Sequence, residues 1–260
     1  MTLFKYVRWG CVVLMVSLLT ACSMIGRPHM AASELFDPAT AQLLEDIRHG
    51  DEVHAREALA QGLNLNIHGK EGVTPLEWLI LETRNKKVVM RGLKLGANPN
   101  FKNGNGNAPI NMVAGFSDLD WLRIMLDAGG DPNNRAHMGM SPLFDAITEE
   151  RWPAIRLLLA RGADVNLPDK VHKNPAIYAS YLDKYEIVYQ LIEQGTDINV
   201  YDDTGSDLAV MVYESESIMS KSSRSYPWLM KVKQVLVERG KTFPPPSPSE
   251  IRRQWKENRH

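Results

Sequence analysis

Cysteine is nearly absent from this 260-residue chain, and neither sign of charge dominates it. Its two cysteines, Cys11 and Cys22, both lie near the start of the chain, so no disulfide can cross-link the body of the protein. The balance of 30 basic against 31 acidic residues leaves a formal net charge of -1. That charge gives no global electrostatic case for nucleic-acid binding. The remaining composition is that of a soluble globular protein with one or two domains.

Motifs of catalysis are also missing. The seven histidines are scattered without metal-ligand spacing, and neither a Gly-x-Ser-x-Gly elbow nor a phosphate loop occurs. Gly104-Asn105-Gly106 superficially resembles a nucleotide loop, yet no strand precedes it. The pair Glu149-Glu150 is read as a solvated face, because adjacent residues on a helix point apart. We therefore expect no enzyme activity, no cofactor and no metal.

The first 21 residues have the pattern of a secretion signal. Lys5 and Arg8 precede a short apolar run over residues 9–19, which is too short for a stable membrane span. The run ends in Leu19-Thr20-Ala21-Cys22, which resembles the bacterial lipobox. The resemblance implies that Cys22 is lipidated and becomes the first residue of the mature protein. An ordinary signal peptide with an incidental cysteine, or an uncleaved anchor, is the alternative.

The residue after the lipobox bears on localisation. By the same resemblance, Ser23 in place of an aspartate favours the outer membrane, with the protein facing the periplasm. Residues 22–37, with glycine, proline and small side chains, predict a flexible tether.

A constant period organises the rest of the chain. Five glycines are 34, 33, 33 and 33 residues apart, and five asparagines keep the same steps. These are Gly62, Gly96, Gly129, Gly162 and Gly195, then Asn66, Asn100, Asn133, Asn166 and Asn199. The best copy of this segment lies at residues 157–166, where an apolar helix ends in a glycine and a polar turn. A period this regular predicts a stacked array of repeats.

A second motif begins each unit, as in Gly72-Val73-Thr74-Pro75-Leu76 and Gly139-Met140-Ser141-Pro142-Leu143. Threonine or serine can cap a helix N-terminus, and proline fits the first turn because it needs no N–H bond there. This motif followed by Leu-Leu-x-x-Gly-Ala-Asp-x-Asn resembles the ankyrin repeat. The resemblance implies an all-α ankyrin-repeat solenoid of stacked helix-turn-helix units with short hairpin loops.

The resemblance covers residues 38–243, with an N-terminal cap, four repeats and an irregular last unit. The histidine that usually follows the Thr-Pro-Leu motif is replaced by Glu77, Asn111, Phe144 and Ile177, which leaves its hydrogen bonds between repeats in doubt. The last unit closes at Gly240, 45 residues after Gly195, so it carries about twelve extra residues. A serine-rich stretch at about 215–226 predicts an exposed, mobile loop there. The tail at 244–260, Pro-rich and then basic, is expected to form a loose helix or stay disordered.

Ankyrin proteins usually bind partners in the concave groove between their hairpin tips and first helices. The family's variable groove positions, carried onto this chain, give the candidate partner-binding residues. They are Val73, Leu81, Asn105, Phe116, His137, Met138, Met140, Lys170, Lys173, Tyr181, Leu182 and Asp203. Phe116, Met138, Met140, Tyr181 and Leu182 would form an apolar strip with a charged rim, as in a protein interface. The alternative for each of these side chains is that it fills a gap between degenerate repeats.

The combined features resemble ankyrin lipoproteins that serve as immunity proteins against phospholipase effectors of type VI secretion systems. This resemblance implies a non-enzymatic, membrane-anchored binder of a protein toxin, with no nucleic-acid partner. A general periplasmic scaffold or envelope-assembly partner is the alternative.

Overall fold

The computed structural model describes residues 30–258, and every regular element within them is helical. The predicted signal segment and Cys22 lie outside the described residues, so their predictions stay untested. None of the helices in the described part combines the length and apolar character that crossing a membrane requires.

Most of the helices follow one another in packed pairs, and a single helix lies at each end of the described series. In chain order they are α1 (Ala32–Leu35), α2 (Pro38–His49), α3 (Glu52–Ala60), α4 (Pro75–Trp78, continued by a π-helical turn, Leu79–Thr83), α5 (Lys86–Lys94), α6 (Pro109–Ala114), α7 (Leu119–Asp127), α8 (Pro142–Thr148), α9 (Trp152–Ala160), α10 (Pro175–Tyr181), α11 (Tyr185–Glu193), α12 (Leu208–Ile218), α13 (Tyr226–Glu238) and α14 (Pro248–Glu257). We call α4, α6, α8, α10 and α12 the inner helices, since each opens a repeat and its neighbours along the stack are other inner helices.

Proline sets the start of the first four inner helices, as the sequence predicts. Pro75, Pro109, Pro142 and Pro175 each occupy the first turn. Thr74 accepts a hydrogen bond from the Glu77 backbone N–H, and the Glu77 carboxylate accepts one from the Thr74 N–H in return. Ser141, predicted to act in the same way, makes no capping bond.

A hairpin precedes each inner helix, and neighbouring hairpins bond through their backbones. The Gly104 N–H donates to the Gly72 carbonyl at 2.9 Å, and the Lys170 N–H donates to the Met138 carbonyl at 2.8 Å. The Gly72 and Gly104 backbones approach so closely that a Cβ on Gly72 would lie 2.5 Å from the Gly104 Cα. Glycine is therefore required here both by contact and by the positive φ of Gly72, +75°.

Four of the five periodic asparagines connect each repeat to the next. Asn133 Nδ2 donates to the Gly162 carbonyl at 2.9 Å, and Asn133 Oδ1 accepts from the Asp164 N–H at 2.8 Å. The same two bonds recur in every earlier and later step of this series, from Asn66, Asn100 and Asn166. We call this series the asparagine ladder. The ladder supplies a donor to the carbonyl of the glycine that ends each outer helix, by which we mean the second helix of a pair. The asparagine must therefore recur with the repeat because of these hydrogen bonds as well as because it favours a turn.

Both ends of the stack are covered by short segments. At the start, the Trp78 indole donates to the Met30 carbonyl at 2.9 Å, and Leu35 and Phe36 are buried against Gly69. Residues 30–37, which the sequence places in a flexible tether, therefore belong to the folded body. The sequence does not predict that these residues are folded, because their apolar side chains are too few to show a period.

The C-terminal tail forms α14, the first of its two predicted alternatives. Ser247 and Glu250 make a capping box, and Ile251 is buried. The Trp255 ring meets Tyr201 edge-on at 6.2 Å, and the Arg252 guanidinium donates to the Thr204 carbonyl. The helix thus packs on the last hairpin, where a further repeat would otherwise follow.

The serine-rich stretch is shorter as a loop than the sequence implies. Its first four residues form the last turn of α12, and α13 begins at Tyr226. Ser215 is buried, and its Oγ accepts a hydrogen bond from the Tyr185 hydroxyl at 2.8 Å. A hydroxyl that serves as partner to a buried tyrosine is indistinguishable in sequence from a solvated loop serine.

Candidate protein-binding groove

The hairpin tips and the inner helices share one surface, which we call the groove. The clearest junction is at Tyr181 of α10, whose hydroxyl donates to Asp202 Oδ2 of the following hairpin at 2.9 Å. Lys173 of the preceding hairpin places its ammonium 3.9 Å from the centre of the Tyr181 ring. Burial raises the pKa of Tyr181 to about 12, so the hydroxyl stays a hydrogen-bond donor at neutral pH.

The twelve residues predicted to bind a partner divide evenly by exposure. Six are exposed: Asn105, His137, Met138, Lys170, Tyr181 and Asp203. Six are half-buried: Val73, Leu81, Phe116, Met140, Lys173 and Leu182. The exposed half lies mainly on hairpin tips, where no neighbouring helix covers the side chains. His172 and Asp203 pair across two such tips, with 2.6 Å between Nδ1 and Oδ1.

The five predicted apolar residues do not form one uniform strip. Met138 and Tyr181 are 41% and 42% exposed and available to a partner. Phe116 and Leu182 pack against the core instead, and the Phe116 ring meets Trp121 edge-on at 6.4 Å. For these two residues the gap-filling alternative describes the packing. The apolar part of the groove therefore depends on Met138 and Tyr181, with Met140 half-buried beside the first.

Sequence reasoning missed the row of residues on the floor of the groove. One residue from each inner helix contributes to it, at the period of the repeats, and we call these residues the floor row. They are Trp78, Met112, Asp145, Tyr178 and Met211. The two ends of the row are buried, whereas the three middle residues are partly exposed. The available signal was Asp145, the only charged residue in the otherwise apolar helix α8.

Asp145 lies at the centre of that row, in the middle repeat. Although its side chain reaches solvent through the groove, the inner helices α6, α8 and α10 surround it with protein. Burial raises the pKa of Asp145 to about 7, while the nearby Asn111 side chain acts in the opposite direction. The nearby carboxylate of Glu149 adds a smaller repulsion.

Two of the replaced histidines keep a bonding role between repeats. Asn103 Nδ2 donates to Glu77 Oε1 at 2.6 Å, and Asn111 Nδ2 donates to the carbonyls of Asn134 and Met140 at 3.2 and 3.3 Å. The other two positions, Phe144 and Ile177, are buried in the core. Different side chains thus hold the same interface by hydrogen bonds at one end and by packing at the other.

Glu149 and Glu150 lie in different environments. Glu150 accepts from the Lys184 ammonium at 2.6 Å and lies 3.7 Å from Arg224, and the bond from Lys184 lowers the Glu150 pKa. Glu149 is exposed at the end of α8, 3.8 Å from Arg151. Over residues 30–258, no three histidine, cysteine or acidic side chains are grouped so as to hold a metal ion.

Comparison with known proteins identifies the repeats. Residues 80–169 match the family model for ankyrin repeats, in three copies. An ankyrin repeat-containing protein of Schizosaccharomyces pombe is 35% identical over 71 residues, which are 27% of this chain and 34% of that protein. The human SH3 and multiple ankyrin repeat domains protein 1 is 32% identical over 105 residues, 40% of this chain and 5% of that one. The chain thus spans at most about a third of these relatives.

The fold has a solved counterpart. The ankyrin repeat domain of Bcl-3, a member of the IkappaB protein family, superposes with a TM-score of 0.61 at 23% sequence identity. The match covers 80% of this chain and 92% of the Bcl-3 chain. Ankyrin repeats are protein-interaction modules and are generally non-enzymatic. The predicted fold class is therefore confirmed: the chain contains ankyrin repeats and folds as an all-helical ankyrin-repeat solenoid.

Proposed function

We propose that this protein is a non-enzymatic binder that holds a protein partner in its ankyrin groove. The observation that carries the proposal is the exposure of Met138 and Tyr181 in two consecutive repeats of that surface. Large apolar side chains grouped at the centre of a polar surface are typical of interface anchors. Exposed charged groups on the hairpin tips, such as Lys170 and Asp203, supply the rim.

The groove assignment is tested with two matched methionines. Met138 is 41% exposed on a hairpin tip, and Met90 is 42% exposed on the outer helix α5. Met138→Asp should abolish partner binding, because it places a charge where the partner buries an apolar contact. Aspartate also tolerates the positive φ of this position, +57°, so the fold should persist. Met90→Asp should leave binding unchanged. Equal binding by both variants, measured by titration calorimetry, would place the interface elsewhere.

We further propose that the protein is a lipoprotein held in the outer membrane by Cys22 and facing the periplasm. The support is the lipobox-like Leu19-Thr20-Ala21-Cys22 and the following Ser23. Cys22→Ser should release the protein from the membrane fraction, because the acyl chains are attached through this sulfur. Continued sedimentation with membranes would argue against lipidation. Separation of inner from outer membranes on a density gradient tests the choice between the two.

The proposed partner is a secreted toxin of the phospholipase type, delivered by type VI secretion. A toxin that reaches the periplasm must be neutralised there, and a tethered binder has a high effective concentration at the membrane under attack. Deletion of the gene should sensitise cells to a sister strain that delivers the toxin, and the wild-type copy should restore survival. Unchanged survival would leave the second candidate, a periplasmic scaffold or envelope-assembly partner. Such a scaffold would use the same groove.

A further inference from the structure

The open part of the floor row contains one charged group between two large side chains. Asp145 follows Met112 and precedes Tyr178 along the stack, one residue from each of α6, α8 and α10. The ends of the row are unavailable, since Trp78 is covered at Met30 and Met211 is buried. A partner that enters the centre of the groove therefore meets a carboxyl group flanked by a thioether and a phenol ring.

No cation of the described chain neutralises this carboxyl group. Among residues 30–258, Asp145 has no ion pair, and the charged group that acts on it is another carboxylate, Glu149. The inner helices contain no lysine or arginine; their charged residues are all acidic. These residues are Glu77, Glu82, Asp145, Glu214 and Glu216. Burial raises the pKa of Asp145, and no cation opposes this shift; a buried carboxylate without a cation is unfavourable.

A second acceptor lies against Asp145 and also lacks a partner. Asn111 is 2% exposed, and its side chain lies close enough to Asp145 to lower the pKa of that carboxyl group. Its Nδ2 donates to two carbonyls of the following hairpin, whereas its Oδ1 accepts no hydrogen bond within the described chain. Buried amide oxygens are rarely left in this state. The two side chains together therefore offer adjacent oxygen acceptors to a donor that enters from the groove.

We propose that Asp145 and Asn111 form a subsite for a lysine or arginine side chain of the protein partner. The proposal rests on the proposed function, that the groove binds a protein, and it specifies the chemistry of the central contact. Lysine and arginine carry several N–H donors and no acceptor, so one cation satisfies both oxygens. The positive charge also returns Asp145 to its ionised form. Met112 and Tyr178 exclude water around the pair, and the Tyr178 ring adds a cation–π contact.

The test uses a library of random dodecapeptides displayed on phage and selected on the full chain. Clones that occupy the groove are recognised because Met138→Asp abolishes their binding. We expect these clones to be enriched in lysine and arginine. Synthetic peptides from them should bind Asp145→Asn about ten-fold or more weakly than the wild type. Asparagine has the same size, so the variant keeps its fold, as circular dichroism should verify.

A matched control separates this subsite from general charge attraction. Glu57→Gln removes an exposed carboxylate from the outer helix α3 and should leave the affinity of the same peptides unchanged. Groove-binding clones without basic enrichment, or with equal affinity for Asp145→Asn, overturn the subsite but leave the groove as the interface. Selected clones that are all insensitive to Met138→Asp overturn both proposals. Equal losses in Asp145→Asn and Glu57→Gln also overturn the subsite.

Discussion

The asparagine ladder and the floor row run through the same repeats, yet they differ in every chemical respect. The ladder repeats one residue, and both polar atoms of each amide are bonded to the next repeat. The floor row changes its residue at each step and includes a carboxyl group without a cation in the described chain. In the same region, Asn111, Asn134 and Ser141 hold buried polar atoms that have no hydrogen-bond partner among residues 30–258. The ladder is uniform and its amides are fully bonded, whereas the floor row is variable and includes one carboxyl group without a compensating cation.

The comparison distinguishes the residues that join one repeat to the next from the residues that are available to a partner on the groove surface. In a repeat protein each interface between units contributes to stability, so the residues that make it must recur. The floor of the groove is free to vary, because its side chains are not needed to close the next repeat. Irregular residues at regular positions therefore indicate the functional surface. The following predictions test this division from its largest expected effect to its smallest.

The close contact between hairpins should be the most sensitive point of the regular part. Gly72→Ala adds a methyl group that meets the Gly104 backbone and forces a non-glycine residue to a φ of +75°. We expect a loss of about 2–4 kcal/mol in the free energy of unfolding. Gly96→Ala is the control, since its φ is also positive but nothing lies within 4 Å of the added atom. Urea denaturation should show a loss of only about 1 kcal/mol there. Equal losses of unfolding free energy in the two variants would show that the close contact between Gly72 and Gly104 does not matter for stability.

Asp145→Asn should stabilise the protein above neutral pH. The folded-state pKa of about 7 exceeds the value of 3.8 for an exposed aspartate. The folded state therefore binds more protons than the unfolded state between these values, and wild-type stability falls as pH rises from about 4 to about 7. The variant should lose this dependence and gain about 1–3 kcal/mol at pH 8, with little change at pH 4.

The measurement is a series of urea denaturation curves from pH 4 to pH 8. Glu57→Gln removes a carboxylate from an exposed helix and should preserve the wild-type pH profile. Asp145→Asn with an unchanged profile would show that Asp145 is ionised throughout. Asp145 would then no longer support the contrast between the bonded asparagine ladder and the uncompensated floor row.

Removal of one ladder amide should weaken the stack by a moderate amount. Asn133→Ala deletes the bonds to the Gly162 carbonyl and the Asp164 N–H, and we expect a loss of about 1–2 kcal/mol. Asn199→Ala provides the control, because Asn199 has the same place in its repeat but its side chain bonds no other residue in 30–258. Similar losses in thermal and urea unfolding would mean that the ladder contributes nothing beyond turn propensity.

The ion pair between Lys184 and Glu150 should have the smallest effect. Lys184→Met removes the 2.6 Å contact with Glu150, whose side chain is 45% exposed. We expect a loss below about 1 kcal/mol, because solvent screens exposed pairs. The pKa of Glu150 is lowered by this pair, so the loss should be present at neutral pH and vanish in acid, as the pH falls through that lowered pKa and Glu150 is protonated. A larger loss, or one that persists in acid, would contradict the surface assignment.

Much of the fold was readable because the period carries it. The glycines and prolines fixed the helix boundaries within a few residues, since each meets a local backbone requirement. The two ends were less readable. Residues 30–37 and α14 are ordered by contacts with Trp78 and with Tyr201, far away in sequence. Local patterns contain no information about such contacts.

The candidate site was readable only in part. Met138 and Tyr181 are exposed, as expected of hairpin tips and helix ends outside the packed interface, and their role in partner binding stays a prediction. Phe116 and Leu182 matched the same positional rule but pack against the core. Asp145 was overlooked because one acidic residue in a short helix reads as a solvated group.

The sequence by itself determined the repeat, its register and the residues that join one unit to the next. These follow from local chemistry, in which glycine ends a helix, proline begins one and asparagine spans the turn. Only the tertiary structure decided that Asn111 and Asp145 meet on the groove floor, 34 residues apart in the chain. It also decided that no cation joins them within the described chain. Burial and charge compensation depend on every neighbour in space, and a linear period specifies only some of those neighbours.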